Sequence, residues 1–235
     1  MDVLFGFATA FPIVASSAIA VTTGVAQGVS EQKRVNADAS NQVRMLKFHL
    51  DTSLEGVNGG ALHNAIITLH DDKVWVEPKD PETGWPVEGA GHPFTGFYIA
   101  YPDDARPYTR GLVSTISVDP PVLNWVYIDK DTLELKYASR SGSIEHHVGS
   151  FDWTGDEDGS GVTFDEWEGF VAVKEEGGKG WGVYFDLEDD GLKGVAKGRQ
   201  VRELGLVRRV ITGQEVNKWG LKEEGNIGFK KTREV

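Results

Sequence analysis

GLVSTISVDPPVLNWVYIDKDTLELKY, residues 111–137, is the stretch whose reading decides the fold. It is built from Val, Ile, Leu, Thr, Tyr and Trp in runs of strand length: LVSTISV (112–118), LNWVYID (123–129) and TLELKYA (132–138). The last two are separated only by Asp129-Lys130-Asp131, a turn sequence too short for anything but a hairpin. Working outward, the same texture recurs. Leu46, Phe48 and Leu50 alternate with Lys47 and His49, and AIITL (65–69) faces KVWVE (73–77) across Asp71 and Asp72. Further strands read at TGFYIAY (95–101), HHVGSFDW (146–153), GFVAVKE (169–175), WGVYFD (181–186) and QVRELGLVRRV (200–210). PKDPETGWPVEGAGHP (78–93) is too rich in Pro and Gly for regular structure and reads as a long loop.

Some eleven strands with short connections form an antiparallel meander, which must close as a barrel or pack as a sandwich to hide its edges. The hairpins NWVYIDKDTLELKY and GFVAVKEEGGKGWGVYF look alike, but two copies do not establish a repeat. The expected fold class is therefore mainly β, a barrel or sandwich carried behind an N-terminal helical arm. The arm occupies residues 1–43 and the β-rich domain residues 44–235. The 29 glycines against 9 prolines fit many tight turns.

The arm has two parts. From Val3 to Ser30 no residue is charged, and Ser16, Ala20, Gly24 and Gly28 place small side chains every fourth residue, a stripe that lets another backbone approach closely. Residues 3–30 are thus expected either to mediate homo-oligomer formation, to dock on a membrane surface, or to pack on the protein's own sheet. Asp2 and the lack of any preceding Lys or Arg argue against a secretory signal, so an intracellular location, cytoplasmic or membrane-associated, is expected. From Ser30 to Gln42, Val35 and Ala39, continued by Val43 and Leu46, mark one face of an amphipathic helix.

Charge is uneven. Of the formal net charge of −12, residues 145–190 account for all, with fourteen Asp/Glu and two Lys, whereas residues 191–235 hold eleven Lys/Arg and five Asp/Glu. An acidic middle argues against nucleic acid as a partner. There is no cysteine, which excludes disulfides, thiolate metal sites and cysteine nucleophiles.

The segments KFHLD (47–51), GHPFTGFYIAYP (91–102), residues 111–137 and WEGFVAV (167–173) resemble a family of filamentous ascomycete proteins. The resemblance spreads over most of residues 44–210 and implies a fungal source. That family has no assigned activity, so the resemblance implies no catalytic residue.

Asp156, Asp158, Ser160 and Gly161 fit the first half of an EF-hand loop, but Glu166 arrives one position early and the flanks read as strands. The stretch is expected to be a solvated acidic turn, with no metal and no cofactor. His146 and His147, adjacent on a strand, would face opposite ways. No nucleophile elbow, phosphate loop or dinucleotide fingerprint occurs. Carboxylate pairs are abundant, Asp165 with Glu166 or Asp152 with Glu168 for instance, but glycoside hydrolysis needs two carboxyls at a set separation, and residue order does not supply that distance.

Aromatic residues on the strands, Trp125, Tyr127, Trp153 and Trp181, are the candidate ligand-binding residues, while core packing is the ordinary role of such side chains. The functional expectation is a non-catalytic binding or assembly protein. The alternative is a barrel enclosing a small apolar ligand, or a fungal biosynthetic enzyme using such a cavity.

Overall fold

A computed structural model describes residues 46–53, 62–117, 120–154 and 161–211. The expected helical arm over residues 1–43, including Ser16, Ala20, Gly24 and Gly28, lies outside the described residues, as do Asp156, Asp158 and Ser160. The described chain is almost entirely strand and turn. In order it forms β1 (Phe48–Ser53), β2 (Ala65–His70), β3 (Lys73–Pro78), β4 (His92–Pro93), β5 (Gly96–Ala100), β6 (Arg110–Thr115), β7 (Leu123–Ile128) and β8 (Leu135–Ala138). A single helical turn, α1 (Arg140–Ser143), precedes β9 (Phe151–Trp153), β10 (Val162–Phe164), β11 (Phe170–Lys174), β12 (Trp181–Phe185), β13 (Val201–Glu203) and β14 (Gly205–Val210).

Hydrogen bonds close a circuit of seven strands, β1–β2–β3–β8–β7–β6–β5 and back to β1. Closure removes the exposed edges that an open meander of this length would leave, and it decides for a barrel over a sandwich. Further strands attach to the circuit. β14 runs along the whole of β1, from Phe48 opposite Val210 to Ser53 opposite Gly205. β12 adds to β3, β11 to β12 and β13 to β11.

Three hairpins organise the molecule: β2–β3, β7–β8 and β11–β12, with leading strands starting at residues 65, 123 and 170. Their outgoing strands meet in pairs, Lys73 opposite Lys136, Val76 opposite Trp181 and Glu134 opposite Tyr184. Each hairpin is flanked in sequence by a strand of a second set, β1 and β5, β6 and β9, β10 and β14. Within that set β1 pairs β14 and β5, β5 pairs β6, β9 pairs β10, and Gly161 bridges to Val207. The chain therefore passes three times through one strand–hairpin–strand unit.

The turns explain the local sequence. Asp71 and Asp72 both sit at positive φ, 51° and 59°, the backbone of a two-residue hairpin turn whose twist matches its strands. The third hairpin needs φ of 71°, 75° and 101° at Gly177, Gly178 and Gly180, which is why its turn reads EGGKG.

Alternation along the strands fills the interior. Phe48, Leu50, Ile67, Leu69, Val74, Val76, Val126, Ile128, Phe170, Ala172, Val183 and Phe185 belong to one continuous cluster, joined by Phe94, Tyr98, Phe151 and Phe164. Phe185 meets Phe164 and Phe170 edge-on at 5.2 and 5.1 Å. Arg208 is drawn into this interior, only 1% exposed, with its guanidinium 4.1 Å from the Trp153 ring centroid and 4.8 Å from that of Phe48. Aromatic faces offer a desolvated cation partial compensation for lost water. On the outer side of β11, Val171 and Val173 are also buried, under Leu192 and Ala196.

Three elements differ from the sequence reading. Of HHVGSFDW only Phe151–Trp153 is a strand: α1 ends at Ser143, a turn follows at 144–145, His146 lies in a bend and His147 makes a single bridge to Ile128. The segment 200–210 splits into β13 and β14, which go to different partners, β11 and β1, with Leu204 turned into the core between them. The end of the acidic stretch is a strand, β10, followed by a two-residue turn at Asp165 and Glu166, both at positive φ, with Phe164 and Trp167 bonded to each other across it.

Candidate functional site

The meeting of the three hairpins produces a groove of about 610 Å³. Each hairpin turn contributes to its wall: Asp71 from the first, Asp131 and Thr132 from the second, Glu175, Glu176 and Lys179 from the third. The segment leading to β13 adds Gly194, Val195, Lys197 and Arg199, and Lys73, Trp75 and Glu134 reach in from the strands.

The floor is a network of charges. The Lys73 ammonium lies 2.9 Å from Glu134 Oε1 and 3.9 Å from Glu175 Oε1. Arg199 donates to Glu175 Oε2 at 2.8 Å and to the Tyr184 hydroxyl at 2.9 Å, with its guanidinium 5.2 Å from the Tyr184 ring centroid. Lys136 bridges Glu134 Oε2 at 3.2 Å and Asp129 Oδ2 at 2.8 Å. At the centre, the Tyr184 hydroxyl is 2.6 Å from Glu175 Oε1 and 2.9 Å from Glu134 Oε1. It has one proton to donate and can serve only one of these carboxylates at a time.

These contacts set the protonation states. Burial opposes ionisation of Glu134, but hydrogen bonds from Lys73 and Tyr184 outweigh it and hold the carboxyl below its usual range. Asp129 is likewise penalised by burial, yet Lys136 and the N–H groups of Asp131 and Thr132 hold it far below that range. Burial and the Glu175 hydrogen bond push the Tyr184 phenol up. Burial disfavours the Lys136 and Arg199 cations, but their anionic and phenolic partners more than compensate and raise both. Asp129, Glu134, Tyr184, Lys136 and Arg199 are thus each shifted away from neutrality and held in their ordinary charge states.

The mouth is different. Asp131, Glu176, Lys179 and Lys197 are exposed and have no ion-pair partner among the described residues, and Asp71 meets only the imidazole of its neighbour His70, at 3.3 Å. Trp75 closes one side of the groove at its base, stacked on His70 with ring centroids 4.7 Å apart and donating its indole N–H to the His70 carbonyl.

The aromatic residues singled out from sequence lie in three separate places. Trp125 and Tyr127 share a small outer cluster with Tyr101 and Val148, where Trp125 meets Tyr101 edge-on at 4.7 Å and Tyr127 stacks on His146 at 4.7 Å. Trp153 packs against the main core between Tyr98 and Arg208. Trp181 packs on the same core from β12, with Lys174 5.8 Å from its ring centroid. The fold brings together only Trp125 and Tyr127. The groove residues are charged turn and strand-end residues, and their one sequence signal was the set of turn motifs DD, DKD and EGGKG. No group of three or more His, Asp or Glu among the described residues is arranged to hold a metal ion. Within them, too, no helix is long and apolar enough to cross a membrane.

A family model described as fungal beta-trefoil domain matches residues 24–212, four-fifths of the chain, and the chain belongs to that family. The threefold passage through strand, hairpin and strand described above agrees with that assignment. Neither the curated proteins nor the solved structures gave a match.

Proposed function

We propose that this fungal beta-trefoil domain is a non-catalytic binding protein that takes a polar ligand in the groove at the junction of its three hairpins. One observation carries the reading: unpaired charges from separate turns surround a mouth whose floor is already neutralised by its own ion pairs. Such a floor has its charges paired without a ligand, whereas the mouth has charge left to offer. The volume falls in the range of small-molecule pockets, roughly 300–1,000 Å³. The protonation states favour binding over catalysis, since general acid–base chemistry works best with a group titrating near the working pH. An enclosed apolar ligand is less well supported, because Phe48, Phe94, Phe151, Phe164, Phe170 and Phe185 fill the interior that it would need.

Two-dimensional amide NMR of the full chain, titrated with a panel of small sugars, amino acids and polyamines, tests this. A ligand of the groove shifts amides at Asp71, Thr132, Lys179 and Gly194 together, and Asp131→Trp, which places a bulky side chain at the mouth, weakens the effect at least tenfold. Shifts confined to other surfaces, or equal binding by the blocked variant, would overturn the groove as the site.

A second role rests on the uncharged residues 3–30. Their small-residue stripe at Ser16, Ala20, Gly24 and Gly28 supports self-association, or docking on a membrane, through the N-terminal segment. Light scattering and vesicle flotation of the full chain against Ala20→Leu/Gly24→Leu separate the two. A loss of oligomer points to self-association and a loss of flotation to the membrane, whereas no change in either removes this role.

A further inference from the structure

From the distribution of charge around the mouth we infer that the groove selects a zwitterion, a small molecule with an ammonium at one end and a carboxylate at the other. This rests on the groove being the binding site. The two signs enter from different parts of the fold. The first and second hairpin turns contribute Asp71 and Asp131 and no cation to the lining, while Lys179 and Lys197 come from the third hairpin turn and the segment after it. Glu176 is the one exposed acid that the third turn adds, so the exposed charges of the third turn and the segment after it sum to one positive charge and those of the first two turns to two negative charges.

The floor cannot serve a ligand of single charge. Glu134 is engaged by Lys73 and Glu175 by Arg199, with the Tyr184 hydroxyl shared between the two carboxylates, so a simple amine would have to displace Lys73 or Arg199 to reach a carboxylate there. A simple acid faces the reverse problem with Lys73. A ligand spanning the mouth meets Asp71 and Asp131 with its ammonium, and Lys179 and Lys197 with its carboxylate, without breaking any floor contact. Exposed charges are screened by salt, so each end alone contributes little, but both ends held at once act as a bivalent contact.

The probes are triglycine with free termini, N-acetyl-triglycine, triglycine amide and γ-aminobutyrate, titrated into the full chain at low salt and followed by the groove amides. Free triglycine is expected to bind at least tenfold more tightly than either capped form, and to lose that advantage in both Lys179→Glu and Asp131→Lys, which lie on the exposed rim. Tighter binding of γ-aminobutyrate than of triglycine would identify a free amino acid over a peptide as the natural class, and the opposite order a peptide. If one capped form binds as well as free triglycine, the zwitterion is refuted while the groove stands. If no probe moves the groove amides but another solute of the wider panel does, the class is again refuted and the site retained; if nothing in either set moves them, both fall.

Discussion

His49 meets the Trp85 indole edge-on, with ring centroids 4.7 Å apart and planes at 88°. The imidazole is 1% exposed and donates from Nδ1 to the Phe94 carbonyl at 2.8 Å, so it is neutral and its tautomer is fixed. Burial, with the Arg209 cation and His92 adding to it against the pull of Phe94 and Asp51, lowers its pKa from 6.5 to about 4.

A pH dependence follows. Between about 4 and 6.5 the unfolded chain takes up a proton that the folded chain refuses, so stability is full above 6.5 and declines as pH falls towards 4. At about 1.4 kcal/mol per pH unit the loss approaches about 3 kcal/mol. His92, also lowered by burial, adds in the same sense. Urea unfolding at pH 7 and pH 4.5 should show the decline, and His49→Asn, which retains a donor for Phe94, should remove most of it. An unchanged slope in the variant would assign the effect elsewhere.

Trp85 is the buried anchor of the long loop 78–93, 7% exposed and covered by Arg209 at 5.3 Å from its ring centroid. Trp85→Ala should cost about 3 kcal/mol, as large-to-small replacements of buried aromatics do. Its local signature is proteolytic: trypsin should cut after Lys79, whose ammonium otherwise rests 2.8 Å from Asp51, far faster than in the parent chain. Mass spectrometry of the first cleavage product checks this.

Calcium should not bind tightly. Glu166 would have to be the bidentate ligand of an EF-hand-like loop, but it occupies the corner of a two-residue turn, while the Asp165 side chain accepts the Ser150 N–H at 2.7 Å. Isothermal titration at physiological ionic strength should give no dissociation constant below about 10 μM, the weak end of the sensor range.

The strands were legible because their signal is local. Alternation and β-branched or aromatic runs place β2, β3, β7, β11 and β12 within a residue or two, and the Pro- and Gly-rich run at 78–93 is a loop only between its ends, which belong to β3 (Lys73–Pro78) and β4 (His92–Pro93). The threefold plan was hidden, although the third matching hairpin, AIITLHDDKVWVEP, was in plain view. The leading strands are separated by 58 residues (65 to 123) and then 47 (123 to 170), and the turns differ in length and chemistry, so no fixed period survives. The groove was illegible for another reason. Lys73, Glu134, Glu175 and Arg199 are ordinary surface residues in sequence, and only the pairing of β3, β8 and β12, with β11 on β12 and β13 on β11, brings them together. Aromatic residues drew attention because they are rare, yet their burial is what a β core needs.

The contact between Lys73 and Glu134 should prove to be the one on which the junction of the hairpins depends. Both side chains are mostly buried, 29% and 12% exposed, so their attraction is less screened than that of a surface pair. Removing the cation leaves Glu134 and Glu175 facing each other across a hydroxyl with a single proton, and only Lys136 and Arg199 remain to balance them. Breaking a buried pair costs about 3–5 kcal/mol; with Lys73 partly solvated, about 2 kcal/mol is expected for Lys73→Met. Glu134→Gln removes the charge that Lys73→Met strands, and its amide can still meet the Tyr184 oxygen. The double variant should therefore be more stable than Lys73→Met alone, with a coupling energy of about 1 kcal/mol in a double-mutant cycle. Urea unfolding of the four proteins measures it. Effects that simply add, to within about 0.3 kcal/mol, would mean that Lys73 holds the hairpins by other contacts, such as its ammonium 6.0 Å from the Trp75 ring centroid, and not by its pairing with Glu134.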